Sequence, residues 1–594
     1  MCLKRKKSAV IQKRRTLGSI IIVRMLWDYL KPNRKIMLWG LLMKITGTLS
    51  ELLLPMLLSV IIDDVVPTGD MKKVLLYGLA MMLCALSAWI FNVRANRNAS
   101  LSARNTTEAI RHDLFEKIMV LSSEDTDRFT IASLESRLTS DTYNVHRMIG
   151  MMQRMGIRGP IIIVGGLFLC FLMEPVLALV LLGTMPFIGI LLYIRAVQGV
   201  PLYASVQAIN DRMVRIVREN YRGIRVIKAL GKTDHERDRF ASVSEELSNR
   251  NIYVQRKMAI IRPGMDLLMN AGLVAVIFVG ALRVSKGLSH TGAIIAFMSY
   301  FTIISGSMMM VSRIFVMLSQ GLASFGRIEE VLKTPGEKDW KIEEHPSGDS
   351  ENALEFKDVS FSYLGVRNNA EDISFALKKG ESLGIIGETG SGKTTLLSLL
   401  LRFYHPQEGA IYVNGKDVRD YEPSALRSLF GVAMQNDFLF RESIRENIDF
   451  GREVTAEERE KAIAVSQAKE FIDSLEGRED FLLEGKGSNL SGGQRQRLVL
   501  ARAFAGTPDF LLLDDSSSAL DYQTDARLRQ AISKEYPDST RIIIAQRISS
   551  IMNCSKIMIL EEGRIRAIGT HEELMKDELY SSIYESQMGG ALFD

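Results

Sequence analysis

Cysteine is scarce in this chain: Cys2, Cys84, Cys170 and Cys554 are spread over 594 residues with no metal-ligand spacing, which excludes a zinc ribbon and a disulfide framework. Neither sign of charge dominates, since 74 lysines and arginines against 69 acids leave only +5, and no nucleic-acid partner is expected. No targeting leader is expected either. No small-residue cleavage site follows an apolar core near the N-terminus, and lysine there outweighs the arginine and serine of a transit peptide. What is abundant is apolar surface. At 47% hydrophobic residues the chain is too long for one domain and too apolar to be wholly soluble.

The apolar residues concentrate before about residue 320. Stretches at 36–62, 74–93, 157–173, 176–194, 267–282 and 291–312 each approach the roughly 20 residues a helix needs to cross a bilayer, so six spans are expected. A short acidic segment with Asp63, Asp64 and Asp70 joins the first two, whereas long basic connections at 95–155 and 196–262 follow the second and fourth. Together with the basic N-terminus (Lys4 to Lys7, Lys13 to Arg15), this bias places both termini in the cytoplasm of a multi-pass membrane protein. The expected boundaries are a basic tail at 1–24, a membrane domain at 25–330, a polar linker at 331–352 and a soluble domain at 353–594.

In the soluble part, the apolar run Ser382 to Ile386 enters Gly387-Glu388-Thr389-Gly390-Ser391-Gly392-Lys393-Thr394-Thr395, followed by an apolar-periodic stretch. This is strand, phosphate-binding loop, helix. Glycines let the backbone curl so that its N–H groups face phosphate oxygens, and the helix adds its positive end. Lys393 would reach the β- and γ-phosphates of ATP, and Thr394 would ligate Mg²⁺. A second buried run, Phe510 to Leu513, ends at Asp514, placed to hold Mg²⁺ through water. Leu490-Ser491-Gly492-Gly493-Gln494 completes the set.

With these motifs in register, the soluble part resembles the nucleotide-binding domain of ATP-binding cassette (ABC) transporters, and the spans before it resemble an exporter-type half-transporter. The resemblance implies a helical six-span transmembrane domain followed by an α/β P-loop NTPase domain. It implies that Tyr363 stacks on adenine, that Gln435 links Mg²⁺ to the membrane domain, that Ser518 to Asp521 form the D-loop, and that Ser491 to Gln494 dock on a second subunit's nucleotide. Ser136 to Asp141 and Gly223 to Ala229 look like stretches bordering the family's coupling helices.

Two positions depart from the family. Asp515 stands where it places a water-positioning glutamate, and Gln546 where it places a histidine contacting the γ-phosphate. Aspartate is shorter by one methylene, and a misplacement of about 1 Å can cost on the order of a hundredfold in rate. Glutamine keeps a donor but cannot carry imidazole's proton. The pairing resembles the degenerate-site subunit of heterodimeric bacterial multidrug exporters, implying a second half-transporter as partner, membrane lipids around it, and export of small apolar or amphipathic compounds across the cytoplasmic membrane. A peptide, lipid or siderophore transporter on the same fold, homodimeric or heterodimeric, and a mainly regulatory ATP-binding subunit are the alternatives. Within the first span, Lys44 and Glu51 call for a cavity or partners, with a structural role near Pro55 standing beside substrate contact. Met308, Met309, Met310 and Met317 offer either an adaptable wall for cargo or ordinary packing.

Overall fold

The computed structural model describes residues 23–588 apart from 338–339, 341–344, 347, 350, 364, 366 and 436–437. The basic tail expected at 1–24 thus lies almost wholly outside the described residues, as does part of the linker. The chain divides into two compact units: residues up to Met119 together with Ile131–Lys333, and Val120–Thr130 together with Thr334–Asp594.

The first unit is helical. Among the described residues, five helices are long and apolar enough to cross a membrane: Val23–Thr68, Met71–Met119, Ile131–Met173, Thr233–Ser285 and Thr291–Met310. The span expected at 176–194 falls in the shorter apolar stretch Pro175–Leu191, the start of a 48-residue helix running to Arg222. Small residues allow close helix approach: a Cβ on Gly47 would lie 3.0 Å from the Asn92 side chain, and one on Gly166 would lie 3.0 Å from Ile304. Pro55 sits inside the first long helix, Arg34–Val60, where it removes an amide donor. In the same turn the buried Tyr300 hydroxyl donates to Leu52 O at 2.7 Å.

The second unit is α/β with two sheets. Strands β1 (Asn352–Phe361), β2 (Ala370–Lys378), β4 (Glu408–Val413) and β5 (Lys416–Asp417) form an antiparallel sheet in the order β2-β1-β4-β5. The larger sheet has the order β10-β9-β3-β8-β7-β6, with β3 (Ser382–Ile386), β6 (Phe430–Ala433), β7 (Phe510–Asp514), β8 (Thr540–Ile544) and β9 (Lys556–Glu561) parallel, and β10 (Arg564–Gly569) antiparallel to β9. Every residue of β3 and β7 is buried, as continuous apolar runs covered on both faces should be. Their carboxyl ends open on the same edge of the sheet, where ligands of such sheets bind.

The short helix Ser123–Phe129 belongs to this second unit although it lies within the stretch expected to be membrane domain. Ser122 caps it by accepting from the Asp125 amide, and the Tyr404 hydroxyl donates to Asp127 at 2.5 Å. The linker side of the unit is held by ions and rings. Arg427 makes a two-pronged pair with Glu337 at 2.6 and 2.9 Å, and the Arg402 guanidinium lies 4.6 Å from the centre of the Trp340 ring.

Candidate nucleotide site

The phosphate loop leaves β3 at Gly387 and re-enters regular structure in the helix Lys393–Leu400. Two of its glycines are required by close backbone approach: a Cβ on Gly387 would lie 2.1 Å from Leu560 O, and one on Gly392, at φ +101°, would lie 2.1 Å from Asn369 O. Lys393 Nζ donates to Gly387 O at 2.8 Å and Glu388 O at 2.7 Å, so the ammonium stands at the centre of the curl. Burial holds its pKa below the usual lysine value, against the pull of Asp514 and Asp515.

Strand β7 delivers Asp514 to the same place, and the Thr394 hydroxyl donates to its Oδ2 at 2.8 Å. The next residue, Asp515, turns with φ +47°, and its amide donates to Ile544 O at 2.9 Å. That turn aims its carboxylate away from Asp514's ladder position and toward two amides. Asp515 Oδ2 accepts from Gln546 Nε2 at 2.9 Å and from Gln435 Nε2 at 3.3 Å. Burial raises the pKa of both carboxyls, and for Asp514 the neighbouring Asp515 charge adds to the rise.

These residues line one cavity of about 510 Å³, with Gly387, Glu388, Thr389, Gly390, Gly392, Lys393, Thr394, Thr395, Gln435, Asp514, Asp515 and Gln546 in its wall. Ser391 is buried beneath the loop. Asn369, Glu561 and Leu579, which the sequence did not single out, also line it. Tyr363 is not in it: 42% exposed, its ring meets Phe361 and Tyr404 edge-on at 4.9 Å each. The donor set offers oxygens from Thr394, Gln435 and Asp514, and among the described residues no group of three His, Cys, Asp or Glu stands together. Such a set suits Mg²⁺, which prefers few protein oxygens completed by phosphates and water.

Ser491 to Gln494 lie elsewhere, beside a second cavity of about 460 Å³ whose wall includes Gly492, Gln496 and Ala519. Ser491 caps the helix Gly492–Phe504 with a reciprocal pair: its Oγ accepts from the Gln494 amide at 3.3 Å, and the Ser491 amide donates to Gln494 Oε1 at 2.9 Å. The side chain of Gln494 is thereby engaged within its own chain. A residue missed in the sequence, Gln496, joins this helix to the turn after Asp515, donating to Ser518 Oγ at 3.1 Å and accepting from the Ala519 amide at 2.8 Å. Its signal was only a second glutamine two positions on, which the helix turns away from Gln494.

Residues 37–308 match the ABC transporter transmembrane region and residues 370–518 match the ABC transporter domain. An uncharacterized ABC transporter ATP-binding protein of Bacillus subtilis, YfiB, is 34% identical over 95% of this chain and 98% of its own length. The chain belongs to the ABC transporter family. This transporter is therefore an ATP-binding ATPase coupled to transport, and its apolar helices make it a multi-pass membrane protein. It is also 29% identical, over 89% of the chain and 83% of the relative, to the fatty acid ABC transporter ATP-binding/permease protein of Mycobacterium tuberculosis (strain CDC 1551 / Oshkosh). Its fold matches that of a bacterial Atm1-family ABC exporter with ATP bound, with a TM-score of 0.79 at 22% identity, covering 93% of this chain and 98% of that one.

Proposed function

We propose that this transporter exports apolar or amphipathic compounds across the bacterial cytoplasmic membrane as one half of a heterodimer, holding ATP at a slow site of its own and completing a fast site on its partner. The observation that carries the reading is the shared oxygen: Asp515 Oδ2 accepts from both Gln546 and Gln435. A glutamate there would reach one methylene further, and a histidine at 546 would bring a titratable ring. Here a short carboxylate is instead tied by two neutral amides, which suits holding a nucleotide better than positioning water. The binding groups remain: the loop amides and Lys393 for the phosphates, and Thr394, Gln435 and Asp514 for Mg²⁺, while Tyr363, outside the cavity wall but with its hydroxyl 3.5 Å from Thr395 Oγ1, would meet the base. That ion, when bound, would offset phosphate charge. The Ser491 cap uses the Ser491 and Gln494 amides, which leaves those of Gly492 and Gly493 to meet a partner's nucleotide.

The relative named as a fatty acid transporter favours an amphipathic cargo over a peptide. Both termini would face the cytoplasm, with six spans counted when Pro175–Leu191 is included. The test compares ATP hydrolysis by the purified chain with that of a complex coexpressed with a second half-transporter carrying glutamate and histidine at the corresponding positions. Slow turnover alone and fast turnover in the complex are expected. Robust hydrolysis by the chain alone would sink the division of labour.

A further inference from the structure

Deepening that reading, and resting on it for the cargo's amphipathic character, we infer that Lys44, Arg154 and Arg158 form a receptor for the anionic headgroup of an amphiphile. Lys44 is 4% exposed inside the apolar stretch Val23–Thr68, its partner Asn96 stands one helical turn from Arg154's partner Ser100 on the helix Met71–Met119, and Glu51, two turns along Lys44's own helix, holds Arg158. Glu51 is committed to Arg158, with Oε1 to NH2 at 2.6 Å. The other two cations meet only neutral acceptors: Lys44 Nζ donates to Asn96 Oδ1 at 3.2 Å, and Arg154 NH1 donates to Ser100 Oγ at 3.2 Å. Three cations against one carboxylate leave two positive charges without an ion pair among the described residues.

Charge of one sign gathered in an apolar span is costly unless something compensates it. A packing role would call for pairing, yet two buried polar atoms here, Arg158 Nε and Asn92 Oδ1, have no hydrogen-bond partner among the described residues. Asn92 Nδ2 is already used on Ala88 O at 2.9 Å. The backbone bends to deliver the arginines, since a π-helical turn at Met152–Gly156 holds Arg154 and ends just before Arg158. Access remains open, as the Arg158 and Glu51 side chains keep 32% and 29% of their exposure.

The surroundings select an amphiphile over a free anion. Leu52 follows Glu51 in the chain and Ile162 lies one helical turn beyond Arg158, and both belong to one apolar core with Ile304. A carboxylate or phosphate head would sit among the cations with its tail along this apolar flank. Neutral and cationic amphiphiles would lack the head contact.

The full chain in phosphatidylcholine nanodiscs is titrated with radiolabelled laurate, competed by dodecanol, dodecylamine and dodecyl phosphate. Laurate should bind about five- to tenfold more tightly than dodecanol, the gap between a charge-assisted and a neutral contact. In Lys44→Gln/Arg154→Gln that gap should close, while Lys44→Arg should keep it. Retained ATP binding shows that the variants fold. Equal binding of laurate and dodecanol in the parent chain, or an unchanged gap in the double variant, would overturn the inference. Repeating the titration with phosphatidylglycerol in the disc separates sources: unchanged laurate binding points to cargo, and displacement to a bilayer lipid as the natural anion. ATP-driven movement of an uncharged lipophilic tracer with no laurate preference would remove this site and leave the exporter reading standing. Charge-dependent laurate binding without movement of any amphiphile would do the reverse.

Discussion

Gln546 Nε2 donates to Asp515 Oδ2 at 2.9 Å, so the two positions that depart from the family pattern act on one carboxylate oxygen. Because they touch, their effects are expected to be coupled. Asp515→Glu and Gln546→His made singly should each change turnover little, since each leaves the other half of the altered pair in place. The double variant should raise hydrolysis by more than the product of the single effects. Single-turnover hydrolysis with the partner's own catalytic site disabled is the measurement, and a double variant no faster than the parent would place the defect elsewhere.

Ser491 caps its helix, and under the proposed function it also presents the helix start to a partner. In the complex, Ser491→Ala should lose most ATP hydrolysis while costing only about 1 kcal/mol of stability, the usual worth of such a cap. Gly492→Asp should lose as much, by setting a negative charge where phosphate would dock. Asp515→Asn should leave turnover of the complex nearly unchanged. Comparing the three by steady-state hydrolysis and thermal unfolding separates the roles, and equal losses in all three would reverse the assignment of sites.

Loop glycines should differ among themselves. Gly387→Ala and Gly392→Ala drive a methyl to within 2.1 Å of Leu560 O and Asn369 O respectively, and should abolish binding of a fluorescent ATP analogue. Gly390 has φ +86° but nothing within 4 Å of its added Cβ. Its alanine variant carries only the backbone penalty of about 1–2 kcal/mol and should retain measurable binding.

His405 supplies a pH dependence. Its ring packs edge-on against Trp340 with centroids 4.5 Å apart, and burial, reinforced by Arg402 and Arg419, lowers its pKa below 6.5. The folded chain therefore keeps this ring neutral where the unfolded chain takes up a proton. Stability from this group is present above the unfolded value and is lost as pH falls below it, toward the folded pKa, with a slope of at most about 1.4 kcal/mol per pH unit. Thermal unfolding of the second unit within the full chain should soften between pH 7 and 5.5, and His405→Gln should flatten that change. An identical pH response in the variant would remove His405 as the cause.

Much of the nucleotide site was legible because its chemistry is local. Gly387 to Thr395 are contiguous, and a glycine-rich turn between a buried apolar strand and a helix has few ways to fold, so loop, strand and helix stand where the residues called for them. Ser491 to Gln494 were legible only as a motif, and the helix start they form came from the structure. Family membership followed from the order of such short motifs.

Tertiary structure alone decided what meets across the chain. Gln435 and Gln546 reach Asp515 over separations of 80 and 31 residues because β6, β7 and β8 are neighbours in the sheet, an order that no single strand encodes. Asn369 closes on Gly392 from the other sheet, and Ser123–Phe129 clusters with the second unit, although nothing in a seven-residue polar stretch announces its packing partner. The charges of the first span were visible as an expense in an apolar run. That Glu51 takes Arg158 while Lys44 is left with Asn96 depends on helix rotation and close approach at Gly47, which long-range packing sets and local propensity does not.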